Sequence, residues 1–541
     1  MPSCDLLIRN GTIYDGSGGT PFIADVIVDG DKIIAITDAH EYAGKLEIDA
    51  QGLAVAPGFI NMLSWAVESL IEDGRAQSDI RQGVTLEVMG EATSWGPLND
   101  RLKKRIKETQ SDIQYEIEWD TLGEYLAFLQ NRGVSPNITS FIGAETVRTY
   151  VLGFDDVAPT PEQLNEMKAL VRQAMEEGAV GMSTALIYPP GSYATTEEIT
   201  ALCEVVAEYD GLYISHMRSE SGTIENGLAE FLTILRQAKV RGEIYHLKIA
   251  GQRNWHKLDY VLKTITDAQA EGLTITADMY TYPAAGTGLN SVIPPWAHDG
   301  GHDALMERLK NPELRARIID EMNQPGEDWE NLYYEAGSPD NLMPAHFKNE
   351  ALRHYAGKRL SEIAKLRGQS PEETALDLIL EDDSRVGTVY FLMDEDNLRR
   401  QVQLPYVSFG SDAEAPATEG VFVKTPTHPR AYGTFARVIG RYVRDEGLIS
   451  LEDAIHRLSA LPAHNLHIRE RGALQAGYFA DIVIFDPAQV QDHATFTDPH
   501  AYSTGMVHVF VNGVQVLAHG DHTGALPGKI VYGPGYRHNS D

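Results

Sequence analysis

The sequence predicts an α/β protein: a TIM-type (β/α)8 barrel carrying a β-sandwich domain built from both chain termini. Three observations lead there. Short apolar runs alternate with helical patterns through the middle of the chain, both ends consist of short β-type runs broken by turns, and 541 residues of which 43% are hydrophobic can bury a large core. The expected boundaries are residues 1–56 for the first part of the sandwich, 57–465 for the barrel, and 466–541 for the second part.

Taken in order, the amino-terminal stretches "CDLLIRNGTIYDGSG" and "ADVIVDGDKIIAI" alternate apolar and polar residues. Asn10-Gly11 and Asp29-Gly30 read as hairpin turns between them. At the other end, "ADIVIFDP" and "GMVHVFVNGVQVLAHG" repeat this texture, again with an Asn-Gly turn. In between, "GFINML" opens the barrel as strand one, followed by buried-type strands at 85–90, 138–143, 179–184, 212–217, 244–249, 274–280 and 407–412. One extra candidate, "TVYFLM" at 388–393, makes the count ambiguous by one. Two helices between the strands have clear starts. Thr160-Pro161-Glu162-Gln163 is a capping box with proline at the first helical position, and Thr195 to Glu198 is a second box. The first of these helices places Leu164, Met167, Leu170, Val171 and Ala174 on one face. Residues 290–350, rich in proline, tryptophan and charge, interrupt the rhythm and read as a lid inserted over the barrel mouth.

The formal net charge of −33, from 45 basic and 78 acidic residues, argues against nucleic acid or an anionic membrane surface as a partner, since both require a basic footprint. Only two cysteines occur, so there is no disulfide framework, and Cys203 falls on the apolar stripe Ile199, Leu202, Cys203, Val206. No stretch approaches the length of a membrane span, and "MPSCDLLIRNG" lacks the charged start and apolar run of a signal peptide. A cytoplasmic protein is expected.

In such barrels the catalytic groups sit at the carboxyl ends of the strands. Those ends carry Glu91, His216, His246 and Asp412 on four different strands. Two histidines and a carboxylate, with water in the fourth position, form an accepted catalytic zinc set.

Longer stretches carry a resemblance. "GAVGMSTALIYPPGSYATTEEITALCEVVAEYDGLYISHMRSE", "HLKIAG", "ADMYTYPAAGTGL", "FGSDAEA" and the segment from "THPRAYGTFARVIG" to "ADIVIFDP" resemble the D-aminoacylase (N-acyl-D-amino-acid deacylase) family of the amidohydrolase superfamily. The resemblance covers nearly the whole chain and is weakest in the lid. It implies a TIM barrel with a β-sandwich and hydrolysis of the amide bond of N-acyl amino acids. His216 and His246 match the family's zinc histidines, and Glu91 occupies or adjoins the position of its cysteine ligand. Asp412 matches the base that activates water. Lys248 and Tyr280 match residues that contact the substrate carboxylate, Arg430 matches a further family position, and Tyr188 is expected to line the acyl pocket. Self-association into a homo-oligomer is compatible with this reading.

Two departures stand out. The family's His-x-His at the end of strand one is Leu63-Ser64-Trp65 here, and its Gly-His-Gly after strand three is Gly143-Ala144-Glu145. Alternate strand residues share a face, so both lost strand-one ligands become apolar wall together. The resemblance, so modified, implies one Zn2+ per chain, held by His216, His246 and Glu91. Because a carboxylate is a harder ligand than a thiolate, Mn2+ or Fe2+ also suits the site. Two rivals remain at this level: a cyclic-amide hydrolase of the hydantoinase or dihydroorotase kind, against which the lack of a lysine in "AVGMSTAL" counts, and a non-catalytic ligand-binding barrel.

Overall fold

Continuous apolar runs suit strands buried on both faces, and eight such runs form the ring at the centre of the computed structural model, which describes residues 2–38 and 41–537. The strands are Phe59–Ser64, Val84–Met89, Asn137–Ser140 continued by Ile142–Gly143, Gly181–Ala185, Leu212–His216, Arg241–Ile244, Ile275–Met279 and Val407–Phe409. Each pairs in parallel with the next. A parallel bridge between Ser64 and Ala413 closes the ring. Two backbone bonds reinforce it: Asp412 N–H donates to Leu63 O at 2.8 Å and Trp65 N–H to Ala413 O at 2.9 Å. Ile60, Met62, Leu86, Val88, Phe141, Ile214 and Tyr245 fill a cluster inside, while a larger cluster seals the strands against the surrounding helices.

The sixth strand differs from its expected span of 244–249. It ends at Ile244 because His246 adopts φ 34°, and its N–H turns to the Asp278 carboxylate at 2.8 Å. The extra candidate resolves plainly. Gly387–Tyr390 pairs antiparallel with Ala285–Gly288 and Leu342–His346 in a separate three-stranded sheet between strands seven and eight. Helices between those strands enclose their own apolar cluster, including Leu289, Ile318, Leu376, Ile379 and Tyr390.

The two termini meet in one nine-stranded sheet. Ser3–Ile13 pairs antiparallel with Phe22–Asp29 but parallel with Ala43–Asp49 and Ala54–Pro57, and Ala54–Pro57 pairs with Ile482–Phe485 from the other end of the chain. Asp29-Gly30 and Asn512-Gly513 are hairpin turns; the second has φ of 50° and 77°, as a type I′ turn requires. Asn10-Gly11 is not a turn. It is a bulge within Ser3–Ile13, where the register slips between Ile8 and Gly11 and Asn10 takes φ 57°.

The helix Pro161–Glu177 begins with both halves of the expected capping box. Met167, Val171 and Ala174 are buried on its inner face, with Leu164 and Leu170 half-buried beside them. At Thr195 only half the box forms. The Thr195 hydroxyl accepts from Glu198 N–H, but the Glu198 side chain pairs instead with Arg148 at 2.6 Å, and both are almost excluded from water. A buried guanidinium competes for that carboxylate more strongly than a backbone N–H. Among the described residues, no helix is long and apolar enough to cross a membrane.

Candidate active site

The carboxyl ends of strands two, five and six bring Glu91, His216 and His246 together. Gly90 lets the chain reach this place: its φ is 97°, and a Cβ there would lie 2.4 Å from Phe141 O. Glu91 Oε1 is 3.3 Å from His216 Nδ1 and 3.1 Å from His246 Nε2. The three groups are buried, and one donor atom from each lies within 4.8 Å of the others. Donors about 2.0–2.2 Å from a single zinc ion stand roughly 3.3–3.6 Å apart at tetrahedral angles, so these separations fit one metal. The chemistry fits as well. Burial opposes charge on Glu91, yet the two imidazoles hold its carboxyl below the usual carboxylate range.

A second carboxylate serves both histidines from behind. Glu220 Oε2 is 3.3 Å from His216 Nε2, and Glu220 Oε1 is 3.0 Å from His246 Nδ1. An imidazole that ligates through one nitrogen carries its proton on the other. With Nδ1 of His216 and Nε2 of His246 facing Glu91, the outer nitrogen of each ring lies beside Glu220. His216 Nε2 approaches it at ion-pair distance without forming a hydrogen bond. Lys248 completes the layer, its Nζ donating to Glu220 Oε1 at 2.7 Å, to His246 Nδ1 at 2.7 Å and to His246 O at 3.1 Å. Burial and Lys248 pull the His246 pKa down, but Glu220 and Glu91 outweigh them and push it up to about 10. Burial holds His216 below its ordinary value. Sequence reasoning passed over Glu220. It lies four residues past His216 in "HMRSE", beyond the strand, and only the fold of the following loop turns it back.

Asp412 lies three residues beyond the end of strand eight, with φ 50°, its N–H fixed to Leu63 O. Its Oδ2 forms an ion pair with Arg430 Nη1 at 2.6 Å. Burial raises the Asp412 pKa and Arg430 lowers it, with a net upward shift. Arg430 also donates to Gly286 O at 3.3 Å and sits 4.6 Å over the Tyr280 ring, while its Nε has no acceptor. Tyr280 is fully buried, edge-on to His246 at 6.4 Å, and its hydroxyl reaches Met393 Sδ at 3.6 Å. Tyr188 presents its ring to His216 at 5.3 Å, and the Arg385 guanidinium lies 5.6 Å from the centre of the same ring. Six of the eight residues singled out from sequence are therefore linked through short contacts around Glu91 and Glu220 or around Asp412 and Arg430. Lys248 is the least available, because Glu220 already engages it.

The strand-one positions are wall, as the sequence suggested, but not inert. Leu63 is 1% exposed and packs into the barrel interior. Trp65 is half-buried, and its Nε1–H donates to Glu91 Oε2 at 3.0 Å. Next to the Ala144 substitution lies Glu145, buried, with Oε1 lacking any partner and pressed against Gly191, where a Cβ would come within 2.2 Å of it.

Comparison with known proteins identifies relatives along nearly the whole chain. The model of the amidohydrolase family matches residues 46–517. A D-aminoacylase of Alcaligenes xylosoxydans xylosoxydans is 32% identical over 97% of this chain and 97% of its own. The N-acyl-D-glutamate deacylase of Bordetella bronchiseptica, solved with zinc and a phosphonate mimic of the tetrahedral intermediate, superposes with a TM-score of 0.81 at 29% identity, covering 98% of this chain and all of that one. A D-aminoacylase whose binuclear centre is described by one-metal activation and second-metal attenuation superposes with a TM-score of 0.79 at 29% identity over the same shares. With a family model spanning most of its length and a relative above 30% identity from end to end, this chain belongs to the D-aminoacylase group of the amidohydrolase family.

Proposed function

We propose that the protein is a metal-dependent N-acyl-D-amino-acid deacylase, hydrolysing a linear amide to a carboxylate and a free amino acid. The observation that carries this reading is the convergence of Glu91, His216 and His246 at 3.1–3.3 Å, backed by Glu220, in a barrel of this family. The metal is zinc, one ion per chain, with Mn2+ or Fe2+ admissible to the same donors. Zinc at such a centre polarises a carbonyl and activates water. The chain's own groups do the rest. Asp412 takes the proton of the attacking water and returns it to the nitrogen of the leaving amine as the C–N bond breaks, while Arg430 opposes the upward pull of burial on its carboxyl. Arg430, with unused N–H groups, is the chief cation offered to a substrate carboxylate, with Tyr280 beside it and Lys248 contributing its charge while bound to Glu220; Tyr188 walls the acyl side. Glu220 and Lys248 face the outer nitrogens of the two imidazoles.

Strand four, Gly181–Ala185, contains no lysine to bridge two metals, which disfavours a cyclic-amide hydrolase. A purely ligand-binding barrel gives no reason for five buried charges to converge. The two thiols, Cys4 and Cys203, are both free and buried, which suits a reducing compartment and a cytoplasmic enzyme; self-association is compatible with it. The test is elemental analysis of purified protein followed by amine release from a panel of N-acyl D- and L-amino acids. One metal per chain and hydrolysis of D-isomers are expected. Metal-loaded protein that hydrolyses no member of the panel overturns the proposal.

A further inference from the structure

We infer that Trp65 is a positioning residue for the metal centre: its indole N–H holds Glu91 so that a single carboxylate oxygen faces the two histidines. The inference rests on the reading of Glu91 as a ligand. A carboxylate has two equivalent oxygens and rotates freely unless one is fixed. Here Trp65 Nε1–H takes Glu91 Oε2 at 3.0 Å, and Oε1 is left 3.3 and 3.1 Å from the imidazole nitrogens. Indole is a donor only and does not titrate near neutral pH, so it can neither ligate a metal nor release the carboxylate with pH. Trp65 is itself anchored, because its backbone N–H bonds Ala413 O on the far side of the ring closure. The strand-one position that provides a metal ligand in the resembling family thus serves the neighbouring metal through its carboxylate. Glu91 is held from one side by Trp65, and the histidines are held from the other by Glu220.

Trp65→Phe removes the N–H and keeps an aromatic ring; replacing Trp65 by β-(3-benzothienyl)alanine keeps the full indole shape with sulfur in place of N–H, so that a loss of packing is separated from a loss of the bond. Zinc affinity by chelator competition, and the visible absorption of the cobalt-loaded protein, are read on the full chain. A second-sphere donor of this kind is worth roughly 10–100-fold in metal affinity. Both variants are expected to bind zinc 10–100-fold more weakly. Their cobalt band should lose intensity per ion, as the freed carboxylate takes up a second bond and raises the coordination number. Affinity within threefold of wild type and an unchanged cobalt band in the benzothienyl protein overturn the inference. Glu91→Ala in parallel tells the two failures apart: if it binds zinc as tightly as wild type, Glu91 is no ligand and the proposed centre itself is wrong.

Discussion

The rim of the barrel formed by strands five and six and the rim formed by strands one and three meet the same substrate space with opposite chemistry. On the first rim every buried charge has a counterpart within 3.3 Å: His216 and His246 lie between Glu91 and Glu220, and Lys248 closes the layer. On the second, Leu63 is apolar and excluded from water, Ala144 is small, and Trp65 spends its one polar atom on Glu91, which strand two carries between them and turns toward the histidines. An imidazole buried at position 63 without a metal or another partner would be an unsatisfied polar group costing about 1–3 kcal/mol, a cost that the apolar Leu63 avoids. Glu145 is the one exception, an acid on the apolar rim with an unpartnered oxygen.

Asp412 joins the two rims, its backbone fixed to Leu63 O and its side chain to Arg430, and it supplies the largest effect. Asp412→Asn keeps shape and backbone bonds but loses proton affinity. Turnover is expected to fall about 10²–10⁴-fold with metal content unchanged. An unchanged turnover number in metal-loaded protein would move the proton chemistry to another group. Next in size, Glu220→Gln removes the negative charge that faces both imidazoles and Lys248 and brings an amide N–H toward them. Zinc affinity is expected to drop about 10–100-fold, read by chelator competition. Equal affinity would mean that the histidines are positioned by the backbone alone.

These two residues also mark what was legible in the sequence. Asp412 ends a recognisable strand motif and falls in the family's own pattern. Glu220 carries no such mark, because nothing in "HMRSE" says that a loop residue folds back under both imidazoles. His246 was legible as a residue and not as a conformation: periodicity continues the strand through "IYHLKI", whereas the Asp278 carboxylate captures its N–H and breaks the pleat. Asn10-Gly11 misled for a related reason. The pair supplies a positive φ, and a bulge uses that as well as a hairpin does. The parallel pairing of Ser3–Ile13 with two later strands is a long-range choice on which local alternation is silent.

Restoring the family's ligands would challenge the contrast between the rims directly. In a Leu63→His, Trp65→His protein the cost comes chiefly from residue 63, since Leu63 is 1% exposed with Gly410 packed on it, whereas Trp65 is half-buried. Burying an imidazole there without a partner costs about 1–3 kcal/mol, and Glu91 loses its indole donor. A lower melting temperature and no faster turnover are expected. A variant that melts no lower and works much faster would show that the native rim limits the enzyme instead of completing it.

The smallest effect tests the exception. Burial pushes the Glu145 carboxyl up to about 8 from 4.5, with Arg385 opposing and Glu91 reinforcing. The folded chain therefore holds a proton that the unfolded chain releases above 4.5. Its stability contribution is full below that pH, declines as pH rises toward about 8, and is level beyond. Glu145→Gln does not titrate. Its melting temperature relative to wild type should rise progressively from pH 5 to pH 8 and flatten above, by the equivalent of about 1–3 kcal/mol, because an unpaired buried carboxylate costs at least that much to ionise. All other titrations are common to the two proteins and cancel in the difference. A difference that stays constant across the range would mean that Glu145 is ionised and paired throughout, and the apolar rim would then hold a compensated charge like its counterpart.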